Sequence, residues 1–263
     1  TDSISSNDGT IYGASYETDR SGRSNAAMSF DGTDDYIDMG DVQDLNNTFP
    51  LINFEIIIIN DGSTDNTEKI IKNNFFRKKH IYYYRNEKNL GLGETIKKGI
   101  KLAKNEKFIF IPGDNDLSRE LLEKLLSSID KADIVMTYFM NDEIRGRHRF
   151  LISSIFTLCY LYTFNIFLKY INGPAIYPTH LLKKLSLKSK RFSIVAEINI
   201  KLIKMGCSYK EIPSRRLRGL EGSTAMSLKS FFEVIIIFLY LFWEVKIKNK
   251  KKYNKLTTRI NED

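Results

Sequence analysis

The stretch that decides the fold is Glu55-Ile56-Ile57-Ile58-Ile59-Asn60-Asp61-Gly62-Ser63-Thr64-Asp65-Asn66-Thr67. Four consecutive β-branched residues bounded by turn formers predict a strand buried on both faces, the usual state of a parallel sheet. Asp61 and Gly62 permit a sharp reversal. Ser63, Thr64 or Asp65 can cap a helix that begins near Asn66 and runs through Ile70 and Ile71. This order of strand, polar turn and helix start places a carboxylate and free backbone N–H groups at the carboxyl end of a sheet. Open α/β sheets bind their ligands there.

Working outward, the pattern repeats. Ile81-Tyr82-Tyr83-Tyr84 predicts a short aromatic strand. A loop carrying Asn89-Leu90-Gly91-Leu92-Gly93 follows, then a helix from Glu94 to Ala103. Read as a dinucleotide fingerprint, the loop is a weak match, because the third glycine is lacking where Glu94-Thr95-Ile96 follows. The two glycines permit close backbone approach. Phe108–Ile111 reads as a second buried strand and leads into Pro112-Gly113-Asp114-Asn115-Asp116. Two carboxylates that flank one residue at a strand end can face a single point, and carboxylate oxygens suit Mg2+ or Mn2+. Leu117–Ile129 reads as a helix and Asp133–Phe139 as a strand.

These motifs resemble those of family 2 glycosyltransferases, inverting enzymes with a GT-A fold. The D-G-S-x-D-x-T run at Asp61, the Asn89-Leu90-Gly91 turn, the D-x-D pair and Glu211-Ile212-Pro213 with the arginines and Gly222-Ser223 after it carry the likeness. The resemblance implies a Rossmann-like, mostly parallel sheet flanked by helices. It also implies site roles. Asp61, with Ser63, Asn89 and Gly91, would hold the nucleotide, and Asp114 would lie near the ribose. Asp116, with Asp114, would hold the Mg2+ or Mn2+ that bridges the donor diphosphate. Arg218, Ser223 and, with less support, Arg215 would contact phosphate through arginine's planar fork. Glu197 matches an acidic position of the family and would serve as base for a hydroxyl acceptor; a solvated helix-surface glutamate fits the same residue. The family's first strand, with its P-x-Y-N-E-like turn, is not found upstream.

Phe150–Leu168 is a run of nineteen residues without a charge, diluted by Ser153, Ser154, Thr157, Thr163 and Asn165. Beside Arg145, Arg147 and Arg149 it reads as an interfacial or protein-packed helix rather than a membrane span. Asn172-Gly173-Pro174-Ala175-Ile176-Tyr177 reads as a turn and short strand, Ala196–Gly206 as a helix, and His180 as a surface residue. In the C-terminal region, Leu228, Phe231, Phe232, Ile235, Ile236 and Leu239 keep helical spacing. The apolar stretch to Val245 reaches only about 22 Å, against about 30 Å for a bilayer core. Trp243 and the lysines from Lys246 to Lys252 suit an anchor on an anionic cytoplasmic leaflet.

Residues 1–49 differ in composition: Gly, Ser, Asp, Asn and Thr dominate. Ala26–Phe30 and Tyr36–Met39 predict two strands joined by a tight turn. The segment resembles the opening of laminin-G-like, concanavalin-type domains but is far too short to close such a core. The expected layout is therefore a fragment at 1–49, a GT-A domain at 50–225 and a membrane-associating helix with a basic tail at 226–263. Net charge is +8, which favours anionic partners. Nucleic acid is not expected, since the basic residues lack interleaved aromatic platforms. Two cysteines make no disulfide framework and fit a reducing compartment. No signal peptide is seen, and the start at Thr1 reads as a natural beginning cut away. The expected activity is metal-dependent transfer of a hexose from a UDP- or GDP-sugar to a polyprenyl phosphate or a glycan, as in polysaccharide biosynthesis, at the inner face of the cell membrane. The competing expectation is a catalytically impaired, membrane-associated nucleotide-sugar-binding protein.

Overall fold

The structure is a computed structural model that describes residues 10–12, 15–17, 27–29, 36–38, 53–75, 79–113, 117–140, 147–215 and 228–261. The chain forms two compact units, Thr1–Asn89 and Leu90–Asp263.

In the first unit, four three-residue strands come first: β1 (Thr10–Tyr12), β2 (Ser15–Glu17), β3 (Ala27–Ser29) and β4 (Tyr36–Asp38). The expected hairpin between Ala26–Phe30 and Tyr36–Met39 is not the pairing found. β3 pairs antiparallel with β2, and β4 with β1, so one pair is nested inside the other. The partners Thr10–Tyr12 and Ser15–Glu17 are too short to stand out as strands in the sequence.

The isoleucine run forms β5 (Ile56–Asn60), which pairs in parallel with β6 (Ile81–Arg85). Helix α1 (Thr67–Phe75) connects them. Its first turn is capped by Asp65, whose Oδ1 accepts from Thr67 N at 3.0 Å. The strand is as predicted, but its burial is not. Ile56–Ile59 are half-buried, and Asn60 is the buried member. A two-stranded sheet covers too little surface to bury a run on both faces.

The second unit is built on a mixed sheet in the order β11-β10-β8-β9-β7. The strands are β7 (Lys107–Ile109), β8 (Ile134–Phe139), β9 (Ala175–Pro178), β10 (Tyr209–Ser214) and β11 (Arg259–Ile260). β9 is antiparallel to both neighbours, and the other four run the same way. β7 ends at Ile109, shorter than the predicted strand to Ile111. β11 brings the C-terminal residues back to the sheet edge, and Arg259 pairs with Glu211 there at 2.9 Å.

Alternation along the strands sorts side chains to two layers. Ile134, Met136, Ala175 and Tyr177 face a large core with helix α6 (Ile194–Lys204). Val135, Ile176 and Ile212 face helix α3 (Arg119–Leu126) through Leu121 and Leu125. Helices α2 (Leu92–Leu102), α4 (Arg147–Phe164) and α7 (Leu228–Phe242) add to the first layer, and the short α5 (Thr179–Leu182) follows β9. α4 and α7 meet at Tyr160, Phe164 and Phe238, with Tyr160 and Phe238 rings 4.9 Å apart.

Candidate active site

At the carboxyl end of β5, the expected turn is held by neutral amides. Asn60 Oδ1 accepts from Ser63 N at 2.8 Å, and Asn60 Nδ2 donates to the Tyr83 hydroxyl at 3.2 Å. Asn86 follows β6 directly. Its backbone N–H donates to Asn60 O, and its Nδ2 donates to Asp61 Oδ1 at 2.8 Å. Gly62 has φ +76°, and a Cβ there would lie 2.5 Å from the Lys88 carbonyl carbon and 2.6 Å from Asn89 N. That contact brings Asp61, Ser63 and Asn89 to one tip, as the parallel pairing requires. Asp61 and Ser63 are half-buried and Asn89 is exposed. Arg85 crosses the same tip: it pairs with Glu68 and donates to Ser63 O at 3.4 Å. Asn60 and Asn86 were not singled out from sequence. The signal was there: a polar residue closing each strand of an apolar pair needs a partner.

In the second unit, Gly91 (φ +91°) precedes α2. The start of this helix rests on the backbone of residues 189–190. Gly93 N donates to Lys190 O at 3.0 Å. A Cβ on Gly91 would sit 2.8 Å from that oxygen, and one on Gly93 would sit 2.6 Å from Ser189 O. Both glycines thus serve close backbone approach.

The parallel strands β7, β8 and β10 direct their carboxyl ends to one edge of the sheet, and β9 begins there. Of the segments singled out from sequence, 172–174 enters β9 at this edge and Arg215 leaves β10 there. Gly173 fits so tightly that a Cβ would lie 1.9 Å from Thr137 O. Among the described residues, the buried side-chain Oδ1 of Asn172 finds no hydrogen-bond partner. Arg215 closes β10's exit and is exposed. Asp114, Asp116, Arg218 and Ser223 lie outside the described residues. Among the described residues there is no cluster of three or more His, Cys, Asp or Glu able to hold a metal ion. The metal expectation therefore rests on Asp114 and Asp116, whose oxygen donors suit Mg2+ or Mn2+ in chemistry.

Glu197 is not on a helix surface. It is fully buried, 0% exposed, on the inner side of α6. Both oxygens accept from Lys188 N, Oε2 also accepts from Ser189 N at 2.8 Å, and Lys201 Nζ pairs with Oε1 at 2.8 Å. Lys201, also 0% exposed, pairs further with Glu244 at 2.7 Å. The missed signal was the i, i+4 spacing of Glu197 and Lys201 on a helix that is mostly apolar, with Asn199 and the terminal Lys204 as its other polar members.

α4 and α7 each expose an apolar stripe: Leu151, Ile155, Leu158 and Tyr162 on one, Phe232, Ile236 and Leu239 on the other. Lys248, Lys250, Lys251 and Lys252 are exposed beyond α7. No helix among the described residues is long and apolar enough to cross a membrane.

Parallel strands that end in polar turns, with helices packed on the sheet, make this an α/β fold, the class whose open sheets bind ligands at the carboxyl ends of their strands. Comparison narrows it. Residues 42–186, more than half the chain, match glycosyl transferase family 2, and the chain belongs to that family. It is 33% identical over 93 residues to a dolichyl-phosphate beta-glucosyltransferase of Trichomonas vaginalis, covering 33% of this chain and 28% of that protein. A dolichyl-phosphate beta-glucosyltransferase of Dictyostelium discoideum is 20% identical over 223 residues, covering 73% of this chain and 66% of that protein. The chain thus spans under two thirds of either relative's length. In fold, it resembles glucosyl-3-phosphoglycerate synthase of Mycobacterium tuberculosis, solved with UDP, with a TM-score of 0.51, 17% identity and 74% of each chain covered.

Proposed function

We propose that the protein transfers a hexose, with inversion, from a UDP- or GDP-sugar to a lipid phosphate of the polyprenyl type. The observation that carries this reading is the Asp61 carboxylate, held by Asn86 at the carboxyl end of a parallel strand pair. It lies within the stretch that matches the family. Asp61, Ser63, Asn89 and Gly91 bind the nucleotide part of the donor. Asp114 and Asp116 would hold a divalent cation, which would offset charge on the departing diphosphate. Arg218 adds permanent positive charge to the same group, and Ser223 and Arg215 supply further phosphate contacts.

The setting of Glu197 supports the choice of acceptor. A sugar hydroxyl needs a base to take its proton. Glu197 is spent on the 188–189 backbone and Lys201, so the reading gives it no proton-transfer role. An acceptor phosphate is already ionised near neutral pH and needs no base. Its oxygen attacks the anomeric carbon as the diphosphate leaves. The names of the two dolichyl-phosphate relatives support that class. The exposed stripes of α4 and α7, with the lysines after them, suit a peripheral position on an anionic cytoplasmic leaflet. Residues 1–49 take no part in the reaction.

A second reading is favoured by one observation. Among the described residues, β5 has β6 as its partner and no strand on its other side. A chain lacking its first sheet strand would bind nucleotide-sugar without turning it over. The test is radiolabelled sugar transfer from UDP- and GDP-hexoses to polyprenyl phosphate in vesicles with Mn2+. Wild type is expected to exceed Asp116→Ala by at least about a hundredfold. Equal background rates, with donor binding retained, would leave the second reading standing and remove the first.

A further inference from the structure

The segment 185–193 between α5 and α6 has no regular secondary structure, yet Ser189 and Ser193 are almost fully buried. Two carboxylates from different helices hold it. Glu197 of α6 takes the backbone N–H groups of Lys188 and Ser189. Glu233 of α7 takes the other end. Its Oε1 accepts from Ser189 Oγ at 2.6 Å and from the backbone N–H groups of Lys190 and Arg191, each at 3.2 Å. Its Oε2 accepts from Ser193 Oγ at 3.0 Å.

Glu233 thereby fixes the peptide whose carbonyl receives Gly93 N and against which Gly91 and Gly93 are stacked without room for a Cβ. The inward residues that follow Glu233 along α7 include Ile237 and Leu241, both buried. A carboxylate half-buried on that face is costly unless its oxygens are satisfied, and the 189–193 segment is what satisfies them.

We propose that Glu233 is a positioning residue for the donor site: through Lys190 it sets the Gly91–Gly93 turn that opens α2. The proposal rests on the reading, given above, that this turn contacts the donor. It assigns to α7 a second duty besides presenting an apolar outer stripe. A side chain far along the sequence, in a helix that reads as an anchor, then controls how tightly the nucleotide-sugar is held.

The experiment has two independent readouts on the full chain, for wild type, Glu233→Ala and Glu233→Gln. The first is amide hydrogen exchange of the peptide spanning residues 89–95. The second is UDP titration calorimetry, with donor KM and kcat where turnover is seen. Glu233→Ala is expected to speed exchange at 89–95 and at 188–193 by about tenfold or more, as loss of charge-assisted hydrogen bonds should. UDP affinity and donor KM should worsen by about tenfold, with kcat within about twofold. Glu233→Gln keeps an acceptor oxygen and should recover most of the loss. If the alanine variant does not fold, Ser189→Ala, which removes the 2.6 Å hydrogen bond to Glu233 Oε1, carries the test, with a smaller change in the same direction expected in both readouts. Unchanged exchange at 89–95, or exchange raised evenly over the whole chain, would overturn the proposal. So would faster local exchange with unchanged UDP affinity. If wild type binds no nucleotide at all, the donor reading fails and takes the donor-site role of Glu233 with it. The exchange result then still shows whether the clamp exists.

Discussion

The tip of the β5–β6 pair and the 188–193 segment each gather polar groups around an acidic residue, and they do it in opposite ways. At the tip, Asp61 is half-exposed and accepts a hydrogen bond from the neutral amide of Asn86. At the segment, Glu197 is sealed from solvent and faces a lysine that is equally sealed. A buried carboxylate pays a desolvation cost that only a complete set of donors can offset, so its oxygens go to its own chain. A half-exposed carboxylate at a strand end carries a smaller desolvation cost, because water still reaches it. Two acidic residues are thus separated by burial: Glu197 is a structural holder, and Asp61 is the one to which the proposed donor-binding role is given.

The largest expected effect tests the sealed side. Lys201→Met removes the cation between Glu197 and Glu244, leaving carboxylates buried without their partner. Breaking such a pair costs about 3–5 kcal/mol. Urea unfolding followed by circular dichroism should show a loss of that order. A loss under about 1 kcal/mol would mean that the two glutamates reach water, and the contrast with Asp61 would collapse.

Asp61→Ala probes the open side, where the effect should move from stability to binding. Asn86 Nδ2 loses an acceptor, a cost of about 1 kcal/mol in folding. UDP affinity should fall by roughly tenfold to a hundredfold, the range for a charged hydrogen-bond acceptor. If calorimetry finds UDP binding intact while stability drops as far as in Lys201→Met, Asp61 belongs with Glu197 as a holder.

How much of this contrast the sequence revealed depends on where the deciding contacts lie. β5 was legible because four β-branched residues and a polar turn are a local signal. The cap on α1 was legible for the same reason: Asp65 and Thr67 are neighbours. The stripe on α7 follows from periodicity alone. What was not legible depends on distant partners. The half-burial of Ile56–Ile59 depends on how many strands join β5. The nested pairing of β1 to β4 depends on three-residue pieces with no pattern of their own. The role of Glu233 could not be read at all, since its partners Ser189 to Ser193 precede it by a helix, a strand and more. Glu197 was the intermediate case: Lys201 sat one turn on in plain view, but nothing local said that both were inside.

The smallest effect sharpens the open side further. Asp65 lies on the same exposed tip and is fully solvated. The Thr67 hydroxyl, and then the Thr67 backbone N–H, hold its carboxyl below the usual carboxylate range. A group whose folded value is lowered contributes its stability above the unfolded value. The cap on α1 should therefore be intact above about pH 4, the ordinary aspartate range. It should fade only as pH falls through the lowered value. Following the Thr67 amide resonance in a pH titration would show this as a transition displaced to the acid side. Asp65→Asn keeps the capping oxygen without a titrating group, so that transition should vanish while α1 remains. The two other outcomes are a wild-type transition at the ordinary aspartate value and an identical titration in the asparagine variant. Either would show that Asp65 does not cap the helix, and that the tip is held by Asn60 and Asn86 alone.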